Sequence, residues 1–462
     1  MSQWSTVLFA LATALMLILV CVLTPSGDVQ FGNVKFHYPT FSFQVSDSSR
    51  RVSVEQQLAV AEAEMHIFTA VDSARMALED SLRTYEKFFT NSEVAISFPD
   101  SNYNYLAPVF DALEKQARSE VVHVIHYGDS QIEADRITGL LRDSLQKHFG
   151  GSGPGLLPLW QPIPARSVGQ TLSDSVSTYY AGGMMGRRAS HDRYGAMAQM
   201  SRLTSDCVSM NVVARQSGMH FRRAILFAGE AQNLSATLDD STQTYSGEGF
   251  CALEWTLGGR QRLQLTLSGT ADVYGIEIDG GRGVSVSNIP LRGADGLFFQ
   301  RINSSQMSSM LRRLNTRLIL LEFGGNALPI LRDTAAVRRY ANNLGRQIDR
   351  LQQLCPNARF VVIGPADMSV KVGAEMQTHK LLPSLVAQMR TECLAHGVAF
   401  WDMYAVMGGR NSMISWVDHV PAWAAPDYVH FTVRGANKIA NLLWQSIMMS
   451  YQYKKLCEKV RQ

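Results

Sequence analysis

The chain has 462 residues, of which 46% are hydrophobic and 18% charged, a composition that fits neither a disordered chain nor a multi-span membrane protein. The length exceeds what one hydrophobic core normally fills, so two or three units are expected. With 43 Lys+Arg against 40 Asp+Glu the net charge is +3, which gives no electrostatic case for nucleic acid as a partner.

The first segment, Val7 to Thr24, carries no charge over 18 residues and ends at Pro25-Ser26-Gly27. That is long for a signal-peptide core and barely enough to span a bilayer. No Lys or Arg precedes it and no A-x-A site follows, so a retained anchor is favoured, with a cleaved signal next. Ile18-Leu19-Val20 before Cys21 lacks the small residue of a lipoprotein site. Each reading sends the remaining chain across a membrane, to a periplasmic or extracytoplasmic face, with the inner membrane as a partner through this segment. The six cysteines make no disulfide scaffold and no CxxC or Cys/His zinc spacing. Cys207 and Cys251 read as two small buried thiols, with a bridge as the alternative.

Residues 28–50 read as loop. A helical pattern follows from about Val54 to Phe89, either a stalk or a helix packed on the main domain. From Val121 the pattern becomes short β-rich apolar runs alternating with amphipathic helices. Val121–Tyr127, Val284–Ile289, Arg317–Phe323, Arg359–Ile363 and Val398–Met403 are expected as strands. Helices are expected over Gln131–His148 and near 300–314, 335–354, 377–395 and 433–450. Repeated βαβ units imply a three-layer α/β/α domain on about five parallel strands. Residues 165–280 break this rhythm with short alternating segments such as Leu253–Leu257, Arg262–Leu267 and Val273–Ile278. They predict an inserted antiparallel β-sandwich, placed beside the carboxyl ends of the strands. The divisions expected are 1–27 (anchor or signal), 28–100 (helical or linker region), 101–164 and 283–462 (the two parts of the α/β domain) and 165–282 (the insert).

Four short motifs carry chemistry. Gly128-Asp129-Ser130-Gln131 lies between a strand and a helix, where a serine hydroxyl reaches the sheet edge and its backbone N–H meets a helix N-terminus. Alone, such a serine is more readily a helix cap. Asp427-Tyr428-Val429-His430 precedes a helix capped by Thr432. There the carboxylate of Asp427 can take the Nδ1 proton of His430, leaving Nε2 to accept one from a serine. Asn326, after the strand ending in Phe323, can present its amide, and Gly293, after another strand, its N–H. Ser130, Gly293 and Asn326 would form an oxyanion hole, although either glycine turn is also ordinary loop chemistry.

The order and position of these motifs resemble the SGNH (GDSL-type) hydrolase family, with all four blocks present. The resemblance implies Ser130 as nucleophile, His430 as base, Asp427 as its carboxylate, and Gly293 and Asn326 as oxyanion donors, with no cofactor and no metal. GDSQIEADRIT and the Gly-rich Phe149–Gly155 resemble bacterial peptidoglycan O-acetylesterases, which carry a carbohydrate-binding-like β-sandwich between the Ser and Gly blocks. Gln131 stands where that subgroup usually has His, and Glu133 where it usually has Gln. An acetylated glycan is therefore the expected partner, and the expected function is a serine esterase removing O-acetyl groups from an envelope or extracellular glycan, peptidoglycan first. An acetyltransferase of the same fold and a silent glycan-binding protein are the alternatives. Trp416, Trp423, Asp418 and His419 are candidates to wall the substrate cleft, as are Tyr179, Tyr180 and Tyr194 from the insert. His123 and His126 face opposite ways along one strand and cannot chelate together. Asp129 is expected to serve a hydrogen bond at the turn rather than catalysis.

Overall fold

The computed structural model describes residues 28–31, 34–37, 58–59, 62–63, 78–184 and 186–461. The chain divides into two units, Met1–Arg50 and Arg51–Gln462. In the first, β1 (Asp28–Phe31) pairs antiparallel with β2 (Val34–His37). The apolar run Val7–Thr24 lies outside the described residues, among which no helix is long and apolar enough to cross a membrane. The second unit holds all the remaining elements.

Two helices, α1 (Leu78–Asn91) and α2 (Ala107–Lys115), precede the sheet. The first is the described end of the helical pattern running to Phe89; the second has a sequence signal in Pro108, in its first turn, where a missing N–H costs nothing. Next come β3 (Val121–Gly128) and α3 (Thr138–Phe149). All eight residues of β3 are buried, as a strand covered on both faces requires.

The insert then supplies β4 (Gly155–Leu157), β5 (Val168–Leu172), β6 (Ser177–Tyr180), β7 (Gln199–Ala214), β8 (Phe221–Leu238), β9 (Ser241–Gly247), β10 (Cys251–Arg260) and β11 (Arg262–Asp279). The chain returns through β12 (Gly283–Pro290), α4 (Ser304–Arg313), β13 (Thr316–Glu322), α5 (Thr334–Leu354) and β14 (Arg359–Ile363). A small hairpin of β15 (Ser369–Val372) and β16 (Glu375–Thr378) leads to α6 (Leu382–Ala395), β17 (Ala399–Trp401) and the final α7 (Val433–Arg461).

The parallel sheet has the order β12-β3-β13-β14-β17. All five strands stand where the sequence expects them. The chain steps from β3 to one side and returns to the other at β13. The carboxyl ends of β3 and β13 therefore flank the crevice in which open α/β sheets bind ligands. One face is covered by a core containing Leu141 and Leu145 of α3 with Ile439 and Leu443 of α7. The other is covered by α4, α5 and α6 together with the insert, whose Ile225, Phe227 and Tyr274 share a core with Ile125, Tyr127 and Ile289.

The insert departs from expectation in three ways. Its eight strands form one hydrogen-bonded antiparallel sheet rather than two stacked sheets. Arg262–Leu267 and Val273–Ile278 are halves of the single strand β11, with register shifts around Gly269 that bend it without ending it. Residues of both halves, such as Leu265 and Ile276, lie in one buried cluster, so the bent sheet encloses its own core. Second, the insert packs along β12 and not only at its carboxyl end: Leu156 N–H donates to Ser287 Oγ at 2.7 Å, and beyond the strand Met184 N–H donates to Arg292 O at 3.1 Å. Third, Cys207 and Cys251 are free, but Cys207 is exposed and Cys251 half-buried, so they are not the two buried thiols expected.

Candidate active site

The helix expected from Gln131 begins at Thr138 instead, and Ser130–Asp135 is a pair of tight turns, with Ala134 and Asp135 at positive φ (59° and 58°). Tertiary partners override helix propensity here. The Gln131 amide donates to Val429 O at 2.6 Å, Glu133 accepts two bonds from Arg292 at 2.8 and 2.7 Å, and Asp135 is held by Arg142 and Ser167. No long helix dipole therefore points at Ser130. What remains is the hydroxyl, on a turn at the carboxyl end of β3.

Ser130 Oγ lies 2.8 Å from His430 Nε2, and His430 Nδ1 lies 2.8 Å from Asp427 Oδ2. The structure thus brings together a hydroxyl and a ring that are 300 residues apart. Asp427 Oδ1 accepts the backbone N–H groups of Val429 and His430, both at 3.0 Å, so the carboxylate shapes its own loop and the ring at once. Burial works against ionisation of Asp427, but the bonds from His430 and Val429 outweigh it and hold the carboxyl below the usual range. Thr432 begins α7 as expected, its hydroxyl accepting Gly435 N–H at 3.3 Å.

The strand-end motifs are laced to the serine turn. Leu291 N–H donates to Gly128 O at 2.8 Å, and the Asn288 amide to Ile132 O at 3.0 Å. Gly293 has φ 71°, and a Cβ there would come within 2.7 Å of Met184, so glycine is required on both counts. It sits between Arg292, bound to Glu133, and Ala294, whose carbonyl accepts the Asn326 amide at 3.2 Å. The second proton of that amide goes to Asp129 Oδ2 at 2.8 Å. Both Asn326 donors are thus engaged, and serving an oxyanion requires release of the longer bond, to Ala294.

Asp129 performs the turn role expected of it, since its Oδ1 accepts Gln131 N–H at 2.9 Å. Burial pushes this carboxyl up to about 7; the charges of Glu322 and Glu133 add to the rise, and the bonds from Gln131 and Asn326 restrain it. Asp129→Asn keeps an oxygen for Gln131 but turns an NH₂ toward the Asn326 amide. We expect turnover of short acetyl esters to fall about ten- to hundredfold. The stability effect has a definite sign. A folded value of about 7 lies above the unfolded value near ~3.9, so the folded state holds an extra proton between them and loses stability as pH rises through that window. The melting temperature of the variant relative to wild type should therefore climb from pH 4 to pH 7 and then level off; a difference independent of pH would contradict the assignment.

Arg136, not singled out in the motifs, and Gln131, noted there only as a departure from His, clamp the serine and histidine blocks together. Arg136 donates to Ser130 O and to Phe431 O, the latter at 3.3 Å, while the Gln131 amide spans to Val429 and accepts Phe431 N–H at 3.4 Å. Their sequence signal is only their place in the turn; their partners lie about 300 residues away. His123 and His126 do face different surroundings, His123 bonding Ser287 at 2.6 Å and His126 bonding Thr138 and Glu322 at 2.9 and 3.1 Å.

Ser130, Asn326 and His430 line a cavity of about 240 Å³, walled by Phe323, Pro329 and Pro365. The aromatic candidates do not reach it. Trp416 is fully buried and Trp423 nearly so, covered by His419 stacked at 3.6 Å, while Tyr180 and Tyr194 belong to the core. Among the described residues the acidic trio close enough to share a cation is Asp111, Glu114 and Glu458, on α2 and α7, and Lys454 already bonds all three at 2.6–3.2 Å.

Residues 247–438 match the GDSL-like lipase/acylhydrolase family, a span that holds Gly293, Asn326, Asp427 and His430 and leaves Ser130 on the far side of the insert. The chain also resembles a solved peptidoglycan O-acetylesterase, with 22% identity and a TM-score of 0.63 over 75% of this chain and 96% of that one. The family match and the fold together support a carboxylic ester hydrolase of the GDSL type. A family two carbohydrate esterase from Cellvibrio japonicus matches at 10% identity over 62% of the hydrolase and 99% of its own length, with a TM-score of 0.26. An acetyl xylan esterase matches at 13% identity over 36% and 81%, with a TM-score of 0.28. No curated protein matches the hydrolase in sequence.

Proposed function

We propose that the hydrolase removes O-acetyl groups from an envelope or extracellular glycan, peptidoglycan first, through a serine acyl-enzyme. The observation that carries this reading is the unbroken chain Ser130–His430–Asp427 at the carboxyl edge of the sheet. Ser130 Oγ attacks the acetyl carbonyl as His430 Nε2 takes its proton, and Asp427 holds the Nδ1 proton and the charge that forms on the ring. The tetrahedral oxygen is met by the N–H groups of Ser130 and Gly293 and by the Asn326 amide. His430 then protonates the departing sugar oxygen, and water, deprotonated by the same ring, releases acetate. The likeness to a peptidoglycan O-acetylesterase supports the substrate class, and a periplasmic or extracytoplasmic location belongs to the same proposal.

Transfer to a second sugar instead of water would need a site that excludes solvent. The side chains of His430 and Asp427 are 32% and 50% exposed, which favours hydrolysis. Acetate release from O-acetylated peptidoglycan, set against acetylated xylan and p-nitrophenyl acetate, tests the proposal. We expect the highest kcat/KM on peptidoglycan; cleavage of the simple ester with no acetate from either glycan refutes it.

A further inference from the structure

Trp160 is the one exposed tryptophan among the described residues, at 43%, whereas Trp255, Trp401, Trp416 and Trp423 are buried. A single exposed hydrophobic residue needs no explanation by itself. This one is held out rigidly. It sits in Pro158-Leu159-Trp160-Gln161-Pro162-Ile163-Pro164, where three prolines fix φ. The Gln170 amide donates to Pro158 O at 2.7 Å and Leu159 O at 2.9 Å, and the Gln161 amide donates to Gln170 Oε1 at 3.0 Å. Leu159 is plugged into the core of the insert, which turns its neighbour Trp160 outward.

The indole borders a cavity of about 670 Å³ whose rim carries Gln170, Thr171, Ser173 and Asp174. Gln161 and Pro162 are shared with a second, smaller cavity lined by Glu133 and Arg292. That ion pair ties the serine turn to the residue before Gly293, so the second cavity abuts the loop that carries Ser130. A flat apolar face ringed by hydroxyl, amide and carboxylate groups matches a pyranose, which has an apolar C–H face and a polar edge.

We propose that Trp160 is the platform of a remote saccharide subsite, on which one ring of a β-linked hexosamine chain stacks while an acetylated ring further along the same chain lies at Ser130. Gln161, Thr171 and Asp174 bond the edge of the stacked ring, and Arg292 lies under the chain between the two. The subsite rests on the glycan reading above, and it makes the hydrolase selective for polymer over small esters.

Trp160→Ala is expected to lower kcat/KM on solubilised O-acetylated peptidoglycan fragments about tenfold, chiefly through KM, with p-nitrophenyl acetate kinetics unchanged. Trp160→Phe should retain most of the activity on the fragments. Equal activity on the fragments, or a parallel loss on the small ester, overturns the proposal. A second measurement separates the subsite from the reaction. Chitotetraose binding to Ser130→Ala, followed by calorimetry, should weaken about tenfold on adding Trp160→Ala. If the wild type frees no acetate from any glycan, the proposed function fails, yet the subsite is still decided here: weakened binding upholds it, while no binding, or binding that ignores Trp160, overturns it.

Discussion

Ser130→Ala is expected to lower kcat on p-nitrophenyl acetate by about 10⁴- to 10⁶-fold, with a melting curve close to that of the wild type. The hydroxyl makes one side-chain hydrogen bond, to His430, so its removal costs stability on the order of one ordinary hydrogen bond, about 1 kcal/mol. The large kinetic loss follows because nothing else in the cavity replaces the oxygen. Asp129 faces Gln131 and Asn326, and Glu322 bonds His126. His430→Ala should cost nearly as much, and the double variant little more than either single one, because nucleophile and base act in one step. Kinetics of the three variants on the same ester check this. Wild-type turnover by Ser130→Ala ends the nucleophile assignment, and losses that multiply in the double variant mean that the two groups act separately.

The parallel sheet was legible because its strands are buried on both faces and therefore read as unbroken apolar runs, as in LILLE of β13. The helices between them show the 3.6-residue period, and α5 and the start of α7 fall where that period places them. The serine and histidine motifs were legible because each stands at a strand or helix end, where local chemistry is constrained. The turn after Ser130 was not. Ile132, Ile137, Leu141 and Leu145 are all buried, as a helix would have them, but three polar residues among them answer to partners elsewhere in the chain. A period count cannot see Arg292 pulling on Glu133 from 159 residues away. The long strands of the insert were missed for a related reason. Gly269 reads as punctuation, yet β11 runs through it because its neighbours on both sides hold the ladder. Tryptophans close to the histidine block invited a role in the cleft, and only packing reveals that Trp416 sits beneath Phe431 at 5.2 Å instead.

Asp427→Asn is expected to lower kcat by about 10²- to 10⁴-fold while leaving the loop folded. The two functions of the carboxylate sit on different oxygens. Oδ1 accepts the backbone N–H groups of Val429 and His430, and an asparagine oxygen does that equally well. Oδ2 accepts the proton of His430 Nδ1. An asparagine NH₂ in that place donates rather than accepts, so the ring must carry its proton on Nε2, facing Ser130, where it cannot serve as a base. The pH profile separates this from loss of charge alone. In the wild type the bonds from His430 and Val429 hold Asp427 below the usual carboxylate range against the effect of burial. It therefore stays ionised across the neutral range. Because Asp427 is half exposed, the cost belongs toward the lower end of the range. An Asn variant with near-normal turnover at neutral pH would mean that the carboxylate builds the loop and nothing more; a variant that melts well below the wild type would mean that its charge, and not its shape, holds the loop together.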